Sequence, residues 1–317
     1  MAIKDLFKIE KSPRKGLFAM EWVVLAYMAF TLLVILFAYT KVVNPESMIW
    51  GRLRIGVMTL ALWVVYRMVP CRFTRFVRVL AQMALLGWWY PDTYEINRMF
   101  PNLDHVFASL EQTIFGMQPS LEFCKAYPQA IVSEVLDMGY ASYYFLIVSV
   151  VLFYFFRRYE QFERCVFIVM GSFMLYYVLF DLIPVAGPTY YFAAIGVDQA
   201  RAGVFPDLGN YFHELRPCLE SPGWKDGFFY QMVEAAKDAG ERPTAAFPSS
   251  HVGISVVLSW LAIQTRSWWL SAVIVTLTVL IFFATFYIQA HYLVDSIAGV
   301  ITGTVFYWTL AKLRIEN

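Results

Sequence analysis

The sequence predicts an all-α polytopic membrane protein, a bundle of about eight transmembrane helices with a helical cap formed by two long outer-face loops. Three observations lead there. Of 317 residues, 59% are hydrophobic and 18% aromatic, and only 15% are charged, against about 25% charged in soluble domains; mean hydropathy is +0.55. Apolar runs recur at the length of a bilayer crossing, about 20 residues. Lys and Arg fill every second connection between those runs, as short cytoplasmic loops do. The same numbers exclude other classes. A net charge of +1 from 25 basic and 24 acidic residues gives no bulk electrostatic hold on nucleic acid. The chain is too apolar to stay disordered, and its Gly, Pro and Cys content fits neither collagen nor a disulfide scaffold.

The runs are taken in order. Trp22–Thr40 carries no charge, and it is too long and lacks the small-residue exit of a cleaved signal peptide. Tyr140–Phe156, Cys165–Phe180, Val252–Thr265, Trp268–Ala290 and Ser296–Leu310 are equally clear. Ile55–Tyr66 and Val79–Tyr90 are short and bounded by Arg52, Arg54, Arg67 and Arg78, so they span only if those arginines snorkel, and a tilted or re-entrant hairpin is the alternative. Basic clusters occur at Lys4–Lys15, at Arg67–Arg78, at Arg157–Arg164, at Arg266 and at Lys312 with Arg314. Both termini are therefore expected in the cytoplasm.

The opposite connections are neutral or acidic; from Asp198 to Arg242 there are eight acidic and five basic residues. Two of them are long, about 91–134 and 184–249, and loops beyond about 12–15 residues are usually functional or disordered. Their aromatics and an amphipathic stretch at Gly227–Asp238 point to a folded cap. Cys71 and Cys165 are expected as free thiols near the cytoplasmic face. Cys124 and Cys218 fall in the two outer loops, where a bridge is permitted but two free thiols are the simpler outcome. Gly299 and Gly303 allow close helix approach in the last span.

Two of the four histidines, His251 and His291, stand at the outer ends of predicted spans. Forty residues separate them, about 60 Å of helix, or two crossings of a roughly 30 Å core. The chain thus returns to the same face. His251 follows Pro248-Ser249-Ser250, a proline–serine entry that caps a helix N-terminus, where free N–H groups and the dipole hold phosphate. There His251 can protonate a departing oxygen or merely anchor the helix. His291 is followed by Asp295 at i+4, on the same helical face, where a carboxylate keeps one ring nitrogen protonated and leaves the other free to attack. A His–Asp helix tie is the plainer reading. The spacing matches no common zinc pattern, so neither metal nor cofactor is expected.

Pro248-Ser249-Ser250-His251, followed by His291-Tyr292-Leu293-Val294-Asp295 and a small-residue run, resembles the type 2 phosphatidic acid phosphatase superfamily over about residues 135–310. The resemblance implies His291 as the nucleophile that becomes phosphorylated, Asp295 as its orienter and His251 as the general acid, with the Ser249 and Ser250 amides holding phosphoryl oxygens. It also divides the chain into an N-terminal region of membrane hairpins and first outer loop, 1–133, and a catalytic core, 134–317, that includes the loop 184–249. Two departures stand out. Where the superfamily has Ser-Arg before the second histidine, this chain has Ala284 and Thr285; where it has the cations of Lys-x6-Arg-Pro, this chain has Phe180 and Gly187 before Pro188.

That pattern resembles the branch of inositol phosphorylceramide synthases (inositolphosphotransferases) and sphingomyelin synthases, and Pro184–Tyr191, including Tyr190, resembles the inositol branch. A lipid phosphotransferase of sphingolipid metabolism is implied, taking a phospho-head group such as phosphoinositol from a phospholipid donor to a lipid alcohol. With water as acceptor the same chemistry is a lipid phosphatase; a non-catalytic transporter is the reading from another class. The missing cations are expected from Arg201, Arg216, Lys225, Lys237 or, first, Arg242. Asp181 and Glu134–Asp137 are candidates for holding a polyol or ceramide hydroxyl, or else interface caps.

Overall fold

The computed structural model describes residues 3–313; Arg314, counted above among the basic residues, lies outside the described residues. The described chain is all helix, with no strand beyond one isolated bridge between Ile9 and Cys71. In order, the helices are α1 (Ile3–Leu6), α2 (Ala19–Phe37), α3 (Pro45–Met68), α4 (Arg72–Ala84), α5 (Leu86–Asn97), α6 (Asp104–Phe115), α7 (Pro119–Ala126), α8 (Ala130–Ala141), α9 (Tyr143–Arg157), α10 (Phe162–Leu182), α11 (Pro188–Ile195), α12 (Val197–Arg201), α13 (Phe228–Gly240), α14 (Ser250–Gln264), α15 (Trp268–Tyr287) and α16 (Leu293–Lys312).

Five of these, α2, α3, α10, α15 and α16, are long and apolar enough to cross a membrane, and α8 with α9 passes the same test as a pair bent by 46°. The chain is an integral membrane protein. α14 is apolar but has 15 residues, a rise of about 22 Å, short of a roughly 30 Å core. The expected weak span Ile55–Tyr66 is the inner part of the 24-residue α3. The other weak span, Val79–Tyr90, is divided at Leu85 between α4 and α5.

Arg52 and Arg78 do not snorkel. Both are buried. Arg52 pairs with Asp92 at 2.6 Å, and Arg78 pairs with Glu21, whose carboxylate also accepts from the Phe18 amide at 2.7 Å. A buried guanidinium is tolerated only when paired and hydrogen-bonded, and these carboxylates, not the interface, supply that.

α10 is the central rod, with 78% of its apolar window buried; α2, α5, α14 and α16 pack around it. α14 and α16 lie nearly backbone to backbone. A Cβ on Gly303 would sit 2.3 Å from the Gly253 carbonyl oxygen, and one on Gly299 2.6 Å from the Ser249 carbonyl oxygen. Small residues are what permit such an approach between helices in lipid. Over the histidine end of the bundle, Leu121, Val185, Tyr191, Phe192, Phe212 and Tyr292 form a second apolar cluster that joins the two long loops. The amphipathic stretch expected at Gly227–Asp238 is α13. All four cysteines are free: Cys124 packs against the cluster of Leu136 and Tyr287, and Cys218 against the separate cluster of Tyr190 and Phe212. Gly303→Ala should lower the thermal unfolding midpoint in detergent, at a cost of about 1–3 kcal/mol for overpacking.

Candidate active site

The α15–α16 link and the α14 N-terminus meet at one end of the bundle. At α14, Ser249 is the N-cap and its hydroxyl accepts from the Val252 amide; the Phe247–Pro248 bond before it is cis. At the link, Gln289 takes a positive φ of 64° and the chain doubles back so that the His291 amide donates to the Thr285 carbonyl at 3.1 Å. Thr285 also exchanges a hydrogen bond with Ser296 at 2.8 Å. The residue standing where the superfamily resemblance would place arginine is thus a backbone anchor for the link.

This folding sets the rings of His251 and His291 with centroids 5.9 Å apart. His291 is buried, and its Nδ1 lies 2.8 Å from the Ala246 carbonyl oxygen. A carbonyl only accepts, so that contact puts the proton on Nδ1 and leaves the lone pair on Nε2. Asp295 Oδ2 is 3.8 Å from the same Nδ1 and takes the Tyr292 amide at 2.8 Å. The direct hydrogen bond that orients His291 is therefore the one it donates to Ala246, with the Asp295 carboxyl group close by. The His251 ring stacks on Tyr140 at 4.7 Å and lies 4.5 Å from Tyr143, and its Nδ1 is buried without a partner.

The amides differ from expectation at one position. Ser249 N–H donates to the Asp295 carbonyl oxygen at 3.0 Å, so it is not free for a phosphoryl oxygen. The Ser250 and His251 amides, first and second in α14, precede the helix's own hydrogen bonds and point from its positive end. Ser250 lies beside them on the N-cap turn, and Pro248 is buried just ahead. Tyr190 is buried on α11 in the cap cluster, where its hydroxyl shares its surroundings with Glu241, Arg242 and Tyr90.

Neither position of the missing first-block cations suits one, the first for want of solvent and the second for want of room. Phe180 is buried, and Gly187, at φ 94°, faces the Ala290 carbonyl so closely that a Cβ would lie 2.7 Å from its oxygen. Among the five loop cations, Arg201 pairs with Glu122 and Asp198, Arg216 with Glu214, Lys225 with Glu220 and Lys237 with Glu234. Arg242 alone of the five has no carboxylate partner; it is half-buried and donates only to the Glu241 carbonyl. His105 and His213 lie elsewhere, against Asp207 and the Phe100 carbonyl. Asp181 receives the Tyr27 hydroxyl, Asp137 the Ser133 hydroxyl, and Glu134 the Phe229 and Tyr230 amides at the start of α13. No group of three or more His, Cys, Asp or Glu able to hold a metal occurs among the described residues.

Three acids escaped the reading of the sequence. Asp104 accepts from the Ala186 and Gly187 amides, from Asn102 and, at 3.0 Å, from the Tyr292 hydroxyl. Glu111 accepts from the Leu293 and Val294 amides. Glu241 is drawn toward the site, where its charge acts on His291. The one signal in the sequence was that Asp104, Ala108 and Glu111 share a helical face, at spacings of four and three.

Fold and site together define a polytopic membrane protein with a close histidine pair, His291 buried and His251 partly so, at one end of its bundle. A family model described as the PAP2 superfamily matches residues 105–309, well over half the chain, and the chain belongs to that superfamily, whose members are phosphoryl-transfer enzymes acting on lipid phosphates. The match begins in α6, some thirty residues before the resemblance noted from the motifs. A search of curated proteins and a search of solved structures each returned no match.

Burial pushes the His291 imidazolium down to about 4, only partly offset by the Ala246 carbonyl and Glu241. An unfolded histidine binds its proton near 6.5. Between those values the unfolded chain holds more protons than the folded one, so stability should fall as pH drops from about 6.5 toward 4. NMR titration of labelled His291 rings should show a midpoint near 4, and His291→Gln should flatten that part of the stability profile.

Proposed function

We propose that the protein is a lipid phosphotransferase that moves a phospho-head group, phosphoinositol being the head group the motifs favour, from a phospholipid to a lipid alcohol through a phosphohistidine. The observation that carries this reading is the His251–His291 pair, with ring centroids 5.9 Å apart, beside the unpaired amides that open α14. His291 Nε2, freed by the Nδ1 contact to Ala246, attacks phosphorus; the bond from phosphorus to the diacylglycerol oxygen breaks and His251 supplies that oxygen's proton. An acceptor hydroxyl then returns a proton to His251 as its oxygen displaces His291. Covalent catalysis splits one difficult displacement into two.

Phosphoryl transfer needs positive charge at the moving oxygens. The Ser250 and His251 amides and the unpaired guanidinium of Arg242 supply it in this reading, with Pro248 and the Ser249 cap holding the turn in place and Tyr190 lining the donor side. Absence of the Lys-x6-Arg cations favours a singly charged phosphodiester donor over a phosphomonoester. The acceptor-hydroxyl roles suggested for Asp181 and for Glu134–Asp137 find less support, because hydrogen bonds within the fold already engage these groups. In this reading residues 134–317 form the catalytic core, joined by α6 and α7 from the 1–133 region. The alternating basic connections put both termini in the cytoplasm and the histidines on the other face.

His291→Ala should abolish turnover in a protein that still inserts and unfolds normally. Arg242→Ala should lower kcat/KM by about a hundredfold. Purified protein with a radiolabelled phosphodiester lipid should transfer label to added ceramide or diacylglycerol with ping-pong kinetics, leaving acid-labile label on the enzyme without acceptor. Release of the free phospho-head group whether or not acceptor is present identifies a hydrolase instead.

A further inference from the structure

We propose that Glu111, carried by the cap helix α6, is a positioning residue for the histidine nucleophile: it clamps the first turn of α16 and so sets the Asp295–His291 geometry from outside the helices that bear the pair. The proposal rests on the reading of His291 and Asp295 as the reacting residues.

Glu111 is fully buried. Its Oε1 accepts from the Leu293 amide at 2.5 Å and from the Val294 amide at 3.3 Å, while Asp295 Oδ2 accepts from the Tyr292 amide at 2.8 Å. Three successive N–H groups, directly after His291, are thus taken by two carboxyl groups, one local and one 182 residues away. A helix N-terminus left to itself binds whatever anion is present. Here α16's is already filled, so a substrate phosphate is left the neighbouring N-terminus of α14, beside His251.

The other halves of the two carboxyl groups are unusual. Glu111 Oε2 and Asp295 Oδ1 are both buried without a hydrogen-bond partner. A purely structural cap would be satisfied by Oε1 alone, and a second buried charge beside Asp295 is costly. Among the described residues, the titratable groups that interact with Glu111 are Asp295 of α16 and the Tyr292 hydroxyl just ahead of it, with Asp104 at the start of its own helix. Burial, then the Asp295 charge, push the Glu111 carboxyl up to about 8. A carboxyl held near 8 is mostly protonated at pH 7, which spares the clamp a second buried charge beside Asp295. Raising the pH through about 8 ionises it and sets a repelling charge inside the clamp.

The test uses the full chain in detergent or proteoliposomes. Glu111→Ala should lower kcat by about ten- to a hundredfold with little change in KM, the loss expected when reacting groups are displaced. Glu111→Gln, which still accepts from both amides, should keep kcat within about threefold at pH 7 and should lose the fall in turnover that the natural protein shows through pH 8. Hydrogen–deuterium exchange of the segment 291–296 should speed up in Glu111→Ala and stay slow in Glu111→Gln, whether or not any activity is assayed. Unchanged exchange or unchanged kcat in Glu111→Ala overturns the clamp. If Glu111→Ala does not fold, Glu111→Gln decides: an alkaline limb identical to that of the natural protein overturns the proposal. Undiminished turnover in His291→Ala, by contrast, sinks the catalytic reading and leaves the exchange result standing.

Discussion

The site depends first on how closely α14 and α16 approach. Lipid offers no hydrophobic drive to hold two helices together, so packing and polar contacts must do it. Here glycines at 253, 299 and 303 bring the two backbones into contact, and the Ser249 amide donates across the gap to the Asp295 carbonyl. That contact joins the turn bearing His251 to the turn following His291. A larger residue at the crossing would separate the two imidazole rings.

A second constraint is the cost of burying charge. Asp104, Asp295 and Glu111 all lie at the histidine end with almost no solvent, and each is held by backbone amides. Asp104 binds the 186–187 turn and the Tyr292 hydroxyl; the other two occupy the start of α16. Hydrogen bonds from amides stabilise a carboxylate that burial disfavours, and in return the acids pin two link segments that have no regular structure of their own. One neighbouring helix start, that of α14, keeps amides without such a partner. The asymmetry between two adjacent helix N-termini, one filled and one open, gives the site a direction.

Much of this was legible in the residue order. Composition and the spacing of apolar runs led to a helical membrane bundle, and α2, α10, α15 and α16 fall where the runs lie. The forty-residue interval between His251 and His291 implied their return to one face. Less legible was anything that depends on partners distant in the chain. Arg52 and Arg78, expected to snorkel if their segments span, pair instead with Asp92 and Glu21, because the bundle brings a carboxylate to each. Val79–Tyr90 is apolar enough to suggest a span, yet it breaks at Leu85 around buried polar groups at Arg78, Gln82 and Asp92. Ala246, the direct partner of His291 Nδ1, contributes through a carbonyl that every residue possesses, so no side-chain pattern could mark it.

Residue type and interval were enough to establish the class of fold, the family to which the chain belongs and the two histidines, since these follow from local periodicity and from short motifs. Folding alone settled what surrounds those histidines: a carbonyl from the loop before α14 on His291, Tyr140 and Tyr143 against His251, and Asp295 and Glu111 on the amides that follow His291. Hydrogen bonds and ion pairs act over about 3 Å in space, whatever the separation along the chain. Helical spacing can put Glu111 on a face with Asp104, but nothing near either residue in the sequence names Leu293 as its partner.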